Sequence, residues 1–200
     1  MQSVRAYIGL GSNVGDARHA LTAAVHALAA LPGATLQGVS SLYETTPVGP
    51  QDQPDFLNAV VALDVPPGPN PETGAMALLI ALKSIERAFG RKERHRWGPR
   101  ELDLDLLLFG QAQLAVDRPL EARSDDPAKA GRLLEVPHPE ASRRLFVLAP
   151  LADLESELLP PGWHETVGQA RARQEALEGA GAARPIARWD GELGRWVDLA

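Results

Sequence analysis

The chain contains no cysteine, which excludes a disulfide scaffold and thiolate metal sites and fits a reducing compartment. It has no surplus of positive charge. Twenty Lys and Arg stand against 26 Asp and Glu, for a net charge of −6. That argues against nucleic acid as the main partner, because such a face needs a basic field to displace counterions. Long apolar runs are also missing: the stretch Met76–Leu82 is cut by Lys83, too soon for a membrane span. The opening "MQSVRAYIGLGSN" has neither a charged n-region nor a long apolar h-region, so no signal peptide is expected and the chain reads as cytoplasmic. There are no internal repeats.

What is present is an ordinary globular composition, 44% hydrophobic and 23% charged over 200 residues. This suits one well-cored domain with appendages. Strands are expected over 4–10, 35–45, 56–65 and 101–109, from β-rich runs bounded by turn chemistry. A helix is expected over 17–31, capped by Asp16, with Leu21, Ala24, Val25, Leu28 and Leu31 on one face and Pro32-Gly33 ending it. A second runs over 72–89, with Met76, Leu79, Ile80, Leu82 and Ile85 as its apolar side and Gly90 after its end. The order β-α-β-β-α-β gives an α+β fold, a ferredoxin-like core with an antiparallel sheet. Residues 111–135 are polar and mixed, and 146–154 are apolar enough to pack on the core. A linker at 179–184 leads to a terminal hairpin turning at Asp190-Gly191. The expected division is one domain over 1–178, with its core at 4–154, and an extension over 179–200.

The strand "ELDLDLLLF" carries two aspartates in its middle. Side chains alternate along a strand, so Glu101, Asp103, Asp105 and Leu107 point one way and Leu102, Leu104, Leu106 and Leu108 the other. The two aspartates then share a face, about 6.5–7 Å apart, where they repel unless something positive sits between them. Magnesium suits two carboxylates, with water or phosphate completing its shell, and two such ions could share the pair. The plainer reading is a solvated strand face. Against it, aspartate is a poor strand former, and two in one strand ask for compensation.

Directly before the strand, "GRKERHRWGPR" carries Arg91, Lys92, Arg94, Arg96 and Arg100, five cations in an acidic chain. Beside a carboxylate pair, such a loop suits a polyphosphate held by guanidinium forks on one side and metal on the other. A solvated charge run is the alternative.

"GLGSNVGD" follows a strand and opens a helix, but its glycines are spaced G-x-G-x-x-x-G with no acidic residue about twenty positions on, and no G-K-[ST]. It is neither a dinucleotide fingerprint nor a P-loop; its glycines are expected to turn the chain at the sheet's edge, near a ligand. In "YETTPVGPQDQPDFLNAV", Asn58 is polar in an apolar strand and offers both donor and acceptor to a flat heterocycle, with Phe56 on the same face. A backbone-satisfied strand-end amide is the alternative. His138 lies between Pro137 and Pro139, rigidly enough to contact phosphate or sugar, or to be structural. His19 and His26 read as helix-surface residues rather than a zinc site.

Four stretches in this order, "AYIGLGSNVGD", "YETTPVGPQDQPDFLNAVVAL", "ERAFGRKERHRWGPRELDLDLLLFG" and "VPHPEASRRLFVLAPL", resemble the 6-hydroxymethyl-7,8-dihydropterin pyrophosphokinase family. They span residues 6 to about 154. The resemblance implies transfer of a diphosphoryl group from ATP to a pterin alcohol, in folate synthesis. It implies that Asp103 and Asp105 hold two Mg2+ ions, and that Arg91, Arg96, Trp97 and Arg100 serve a catalytic loop and triphosphate site. Lys92 or Arg94 would be a second loop cation. Thr45, Pro47, Val48, Phe56 and Asn58 would line the pterin pocket, with Phe146 stacking opposite Phe56. Glu86, Leu106, His138 and Arg144 would lie at the nucleotide. Departures exist: Lys83 and Leu133 stand where some members have a glutamine and an arginine, and Pro139 replaces an aromatic.

The expected partners are small molecules, ATP and the pterin, acting on a monomer. Two rival classes have specific requirements. A metabolite-binding regulatory module would need neither the aspartate pair nor the arginine loop. An RNA-binding sheet would need exposed aromatics on central strands and a basic face, whereas strand one offers only Tyr7 and strand three only Phe56.

Overall fold

A computed structural model describes residues 2–46, 54–90, 100–119, 131–179 and 181–199. Its elements are β1 (Val4–Ser12), α1 (Ala17–Ala29), β2 (Thr35–Val39), β3 (Leu42–Thr45), β4 (Phe56–Val65), α2 (Pro71–Ala88) and β5 (Asp103–Phe109). There follow β6 (Leu114–Asp117), β7 (Arg132–Val136), a 3-10 turn (Ala141–Arg143), α3 (Leu145–Glu155), α4 (Val167–Glu178), β8 (Ala183–Asp190) and β9 (Arg195–Asp198). The fold is mixed α and β. An antiparallel main sheet runs in the order β5-β1-β4-β3-β8-β9, with β2 also on β4, and β6 and β7 form a small second sheet.

Both early helices begin where a side chain satisfies their first free N–H groups. Asp16 accepts from the His19 N–H at 2.9 Å, and Asn70 accepts from the Thr73 N–H at 2.9 Å, with Pro71 opening the helix. Gly90, at φ 77°, follows the end of α2. In α1 the buried stripe is Leu21, Ala24, Val25 and Leu28. In α2 it is Gly74, Ala75, Leu78 and Leu82, one step round from the expected side. Ile80, expected to pack, is 62% exposed, because it lies about 200° around the helix from Leu78 and from Leu82.

The expected strand 35–45 is two strands. Pairing runs Val39↔Val61 and resumes as Tyr43↔Asn58, one residue out of step. Ser40 makes the break possible: its hydroxyl accepts the Val60 N–H at 2.9 Å. The Trp196 indole donates to its carbonyl at 2.9 Å.

The sheet is covered on both faces. Ile8, Leu10, Val61, Leu63, Leu104 and Leu106 meet α1 and α2 on one side. Tyr7, Val60, Ala62, Leu107 and Leu108 meet Leu151 and Val167 of α3 and α4 on the other. The apolar run at 146–154 thus packs as helix α3. Leu108, expected on the face of Leu104 and Leu106, lies on the opposite one. A bulge there pairs Tyr7 with Leu108 but Ile8 with Leu106, and one extra residue flips every side chain beyond it.

The terminal hairpin is present as β8 and β9, but the linker before it is shorter than expected, because β8 already begins at Ala183 and pairs with β3. The hairpin is fastened to α1 by an Arg18–Asp198 ion pair and by His26, whose Nε2 lies 2.9 Å from the Gly194 carbonyl oxygen.

Candidate functional site

The antiparallel register sets a row of side chains across the sheet. Asp103 on β5 pairs with Gly11 on β1, Gly11 pairs with Asn58 on β4, and Asn58 pairs with Tyr43 on β3. One step along, Asp105 pairs with Gly9, and Gly9 with Val60. Carboxylates and amide are therefore separated by a strand that is bare on this face at Gly9 and Gly11, a span of about 9.5 Å. A cavity of about 110 Å³ occupies the trough. Its walls include Thr45, Phe56, Asn58, Arg100, Asp103, Asp105, Arg144, Phe146 and Val147.

Gly9 and Gly11 do not turn the chain at an edge, as expected from the sequence. They lie inside a central strand, and a Cβ added at Gly11 would stand 3.2 Å from Asn58 Oδ1. Their service is the empty floor. The sharp turn comes later, at Gly15, with φ 65°.

Each wall has its own support. Asn58 is buried and donates from Nδ2 to the Thr45 hydroxyl at 2.8 Å, which fixes the amide's orientation across two strands. Arg100 pairs with Asp103. The start of β5 is tied down by Ser12, whose hydroxyl donates to the Glu101 carbonyl at 2.8 Å. Asn13 closes a reciprocal pair with Arg100: its Oδ1 accepts the Arg100 N–H at 2.8 Å, and its own N–H donates to the Arg100 carbonyl at 3.0 Å. The same side chain donates from Nδ2 to the Pro54 carbonyl at 3.0 Å. Asn13 thus joins the approaches to β4 and β5. Sequence reasoning passed over it, though a polar Ser-Asn pair closing an apolar strand was the available signal.

On the α3 side, the Arg144 guanidinium lies 5.6 Å from the Phe146 ring centroid and donates to Glu140 Oε2 at 3.3 Å. His138 is half-buried; its backbone N–H donates to the Leu107 carbonyl at 2.8 Å. Its Nδ1 accepts the Glu140 N–H at 3.3 Å, which leaves the proton of the neutral ring on Nε2. Burial, the largest influence, holds its pKa below the ordinary value, while Asp105 acts in the opposite sense.

The cavity therefore gathers Thr45, Phe56, Asn58, Arg100, Asp103, Asp105, Arg144 and Phe146. Glu86 and Leu106 are not in its walls. Leu106 is 3% exposed in the core under α1 and α2, and Glu86 sits on α2 against the outer edge of β5. Pro47, Val48, Arg91, Lys92, Arg94, Arg96 and Trp97 lie outside the described residues. As a donor set for a metal, Asp103 and Asp105 offer hard carboxylate oxygens over open floor. Among the described residues no group of three or more His, Asp or Glu forms a complete cage. Two carboxylates with room for water and phosphate fit Mg2+.

The model of the family described as 7,8-dihydro-6-hydroxymethylpterin-pyrophosphokinase (HPPK) matches residues 7–156. A Pseudomonas aeruginosa protein named 2-amino-4-hydroxy-6-hydroxymethyldihydropteridine pyrophosphokinase is 44% identical over 161 residues, covering 80% of this chain and 86% of the relative. A Bacillus subtilis protein of the same name is 42% identical over 149 residues, covering 74% and 77%. Among solved structures, wild-type Plasmodium falciparum HPPK-DHPS with pterin and p-hydroxybenzoate superposes with a TM-score of 0.69 at 14% identity. That match covers 99% of this chain but 48% of the other, about half its length, and at such identity it speaks for the fold alone. The chain belongs to the 7,8-dihydro-6-hydroxymethylpterin-pyrophosphokinase family.

Proposed function

We propose that the trough on β1 is where this ATP-dependent pyrophosphokinase moves a diphosphoryl group from ATP to the primary alcohol of 6-hydroxymethyl-7,8-dihydropterin, releasing AMP, in folate synthesis. The observation that carries the placement is the row Asp103, Gly11, Asn58. It sets a carboxylate pair and a ring-reading amide on either side of bare backbone, so that a flat ring and a phosphate chain lie end to end.

In this reading the pterin ring edge is read by Asn58, with Thr45 holding its amide, and the ring lies between Phe56 and Phe146. Pro47 and Val48 complete that end by their place in the sequence. Asp103 and Asp105 hold two Mg2+ ions, which when bound neutralise phosphate charge and orient the β-phosphate. Arg100 and Arg144 supply guanidinium forks to phosphate oxygens. The cations Arg91, Lys92, Arg94 and Arg96, together with Trp97, belong to the same nucleotide end. The alcohol oxygen bonds to the β-phosphorus as the bond to the α,β-bridging oxygen breaks; AMP departs with that oxygen and the hydroxyl proton is released to water. Fixed cations aimed at the shifting charge lower the barrier without reorganising.

His138, within the influence of Asp105 and Arg144, takes a supporting place at the nucleotide, while Leu106 and Glu86 back β5 from the α2 side. The strand order β5-β1-β4 followed by β2 and β3 supports a ferredoxin-like core. No helix among the described residues is long and apolar enough to cross a membrane. We read the enzyme as a cytoplasmic monomer acting on small molecules, with residues 1–178 as its catalytic domain.

The test is direct. Incubation with ATP, Mg2+ and the hydroxymethyl dihydropterin yields AMP and the pterin diphosphate in equal amounts. ADP as the nucleotide product, or no pterin-dependent turnover, would reject the reading.

A further inference from the structure

Helix α4 lies beyond the residues 7–156 that match the family, yet two of its side chains grip the backbone on either side of Arg144. Arg173 donates to the Ser142 carbonyl at 2.7 Å. Glu178 Oε1 accepts the Leu145 N–H at 3.2 Å. Both groups are themselves braced: Arg173 donates from Nε to Glu165 at 3.0 Å, and the same Glu178 oxygen accepts from Gln174 at 2.6 Å.

The grip falls where α3 needs one. A helix's first N–H groups have no partner within the helix, and Arg144, at the N-cap of α3, makes no side-chain capping bond. Glu178 supplies the acceptor from another element, and its negative charge suits a helix N-terminus. Leu145 is anchored from beneath by Tyr43, Ala149 and Ala183. The next residue, Phe146, faces the cavity.

We propose that Glu178 is a positioning residue for the ring-binding wall: through the Leu145 N–H it sets the angle at which the first turn of α3 presents Phe146 to the pterin. This rests on the ring site proposed above. Arg144 has a separate anchor at Glu140, so the effect falls on the pterin rather than on ATP.

Steady-state kinetics of the full chain, with thermal melts alongside, test this. Glu178→Ala raises KM for the pterin about five-fold, which is about 1 kcal/mol at 1.4 kcal/mol per decade. kcat and KM for ATP stay within about two-fold. Glu178→Gln, which keeps an acceptor oxygen, restores the wild-type KM. An unchanged pterin KM in the alanine variant overturns the proposal. So does a glutamine variant as impaired as the alanine one, or a fall in every parameter together with the melting temperature. Calorimetric binding of the pterin alone to wild type and both variants is the parallel readout and needs no turnover. Failure of wild type to release AMP counts against the reaction assignment, whereas normal wild-type turnover with an indifferent Glu178→Ala counts against the positioning role alone.

Discussion

Glu86 and Leu104 are joined across the open edge of the sheet: the carboxylate Oε1, on a side chain buried on α2, accepts the Leu104 N–H at 2.7 Å. Lys83, paired to the same oxygen at 2.8 Å, donates to the Leu104 carbonyl at 3.1 Å. Two helix side chains thus stand in for a neighbouring strand. They satisfy the edge of β5 and hold the strand that carries Asp103 and Asp105.

Removing the carboxylate leaves the buried Leu104 N–H and the Lys83 ammonium without this acceptor, at a cost of about 1–3 kcal/mol. Glu86→Ala therefore lowers the melting temperature by about 4–8 °C, taking about 2 kcal/mol in a chain of this size. A thermal melt checks it. An unchanged midpoint would mean the edge is held by something else.

Asp103 and Asp105 share one face over the glycine floor. Neutralising either one, as Asp103→Asn or Asp105→Asn, is expected to cut AMP production about 10²–10³-fold while the melting temperature holds. Chelation of divalent ions stops wild-type turnover, and added Mg2+ restores it. Full activity in both variants would remove the metal assignment.

A methyl group at position 11 would sit 3.2 Å from Asn58 Oδ1. Gly11→Ala is expected to weaken pterin binding about ten-fold, within the 1–3 kcal/mol of overpacking. Far-UV spectra stay unchanged, because the backbone there is ordinary strand. Calorimetric titration of the pterin reads it, and wild-type affinity would show that the ring lies elsewhere.

Asn13 spends its amide on both flanks, Arg100 and Pro54. In Asn13→Ala both bonds go, and turnover is expected to fall more than the melting temperature does. Asn13→Asp keeps the acceptor for Arg100 and loses the donor to Pro54, so it falls between wild type and alanine. Equal kinetics in all three would confine Asn13 to folding.

The His138 ring is held neutral in the fold by burial, its pKa below the unfolded value of about 6.5. Below that pH the unfolded chain takes up a proton that the folded chain refuses, so this contribution to stability is complete above about pH 6.5 and fades as pH falls toward the folded pKa. Melting temperatures between pH 7.5 and 5 are expected to decline, and His138→Gln to flatten the part of the slope due to this ring. Identical slopes in the two proteins would count against it.

Sequence pattern alone determined where α1 lies, that 56–65 is a strand, and that Asp103 and Asp105 share a face, because helix and strand repeats are local geometry. It could not show the Ser40 break, the flip of Leu108, or the exposure of Ile80, since each depends on what a neighbouring element offers. The motifs pointed to the aspartates and Asn58 separately. Only the tertiary register set Asp103 in one row with Asn58 across Gly11, with Asp105 one step along, and let α4, remote in sequence, grip the turn before Phe146. Strand pairing and helix docking join residues far apart in the chain, and no local spacing encodes that distance.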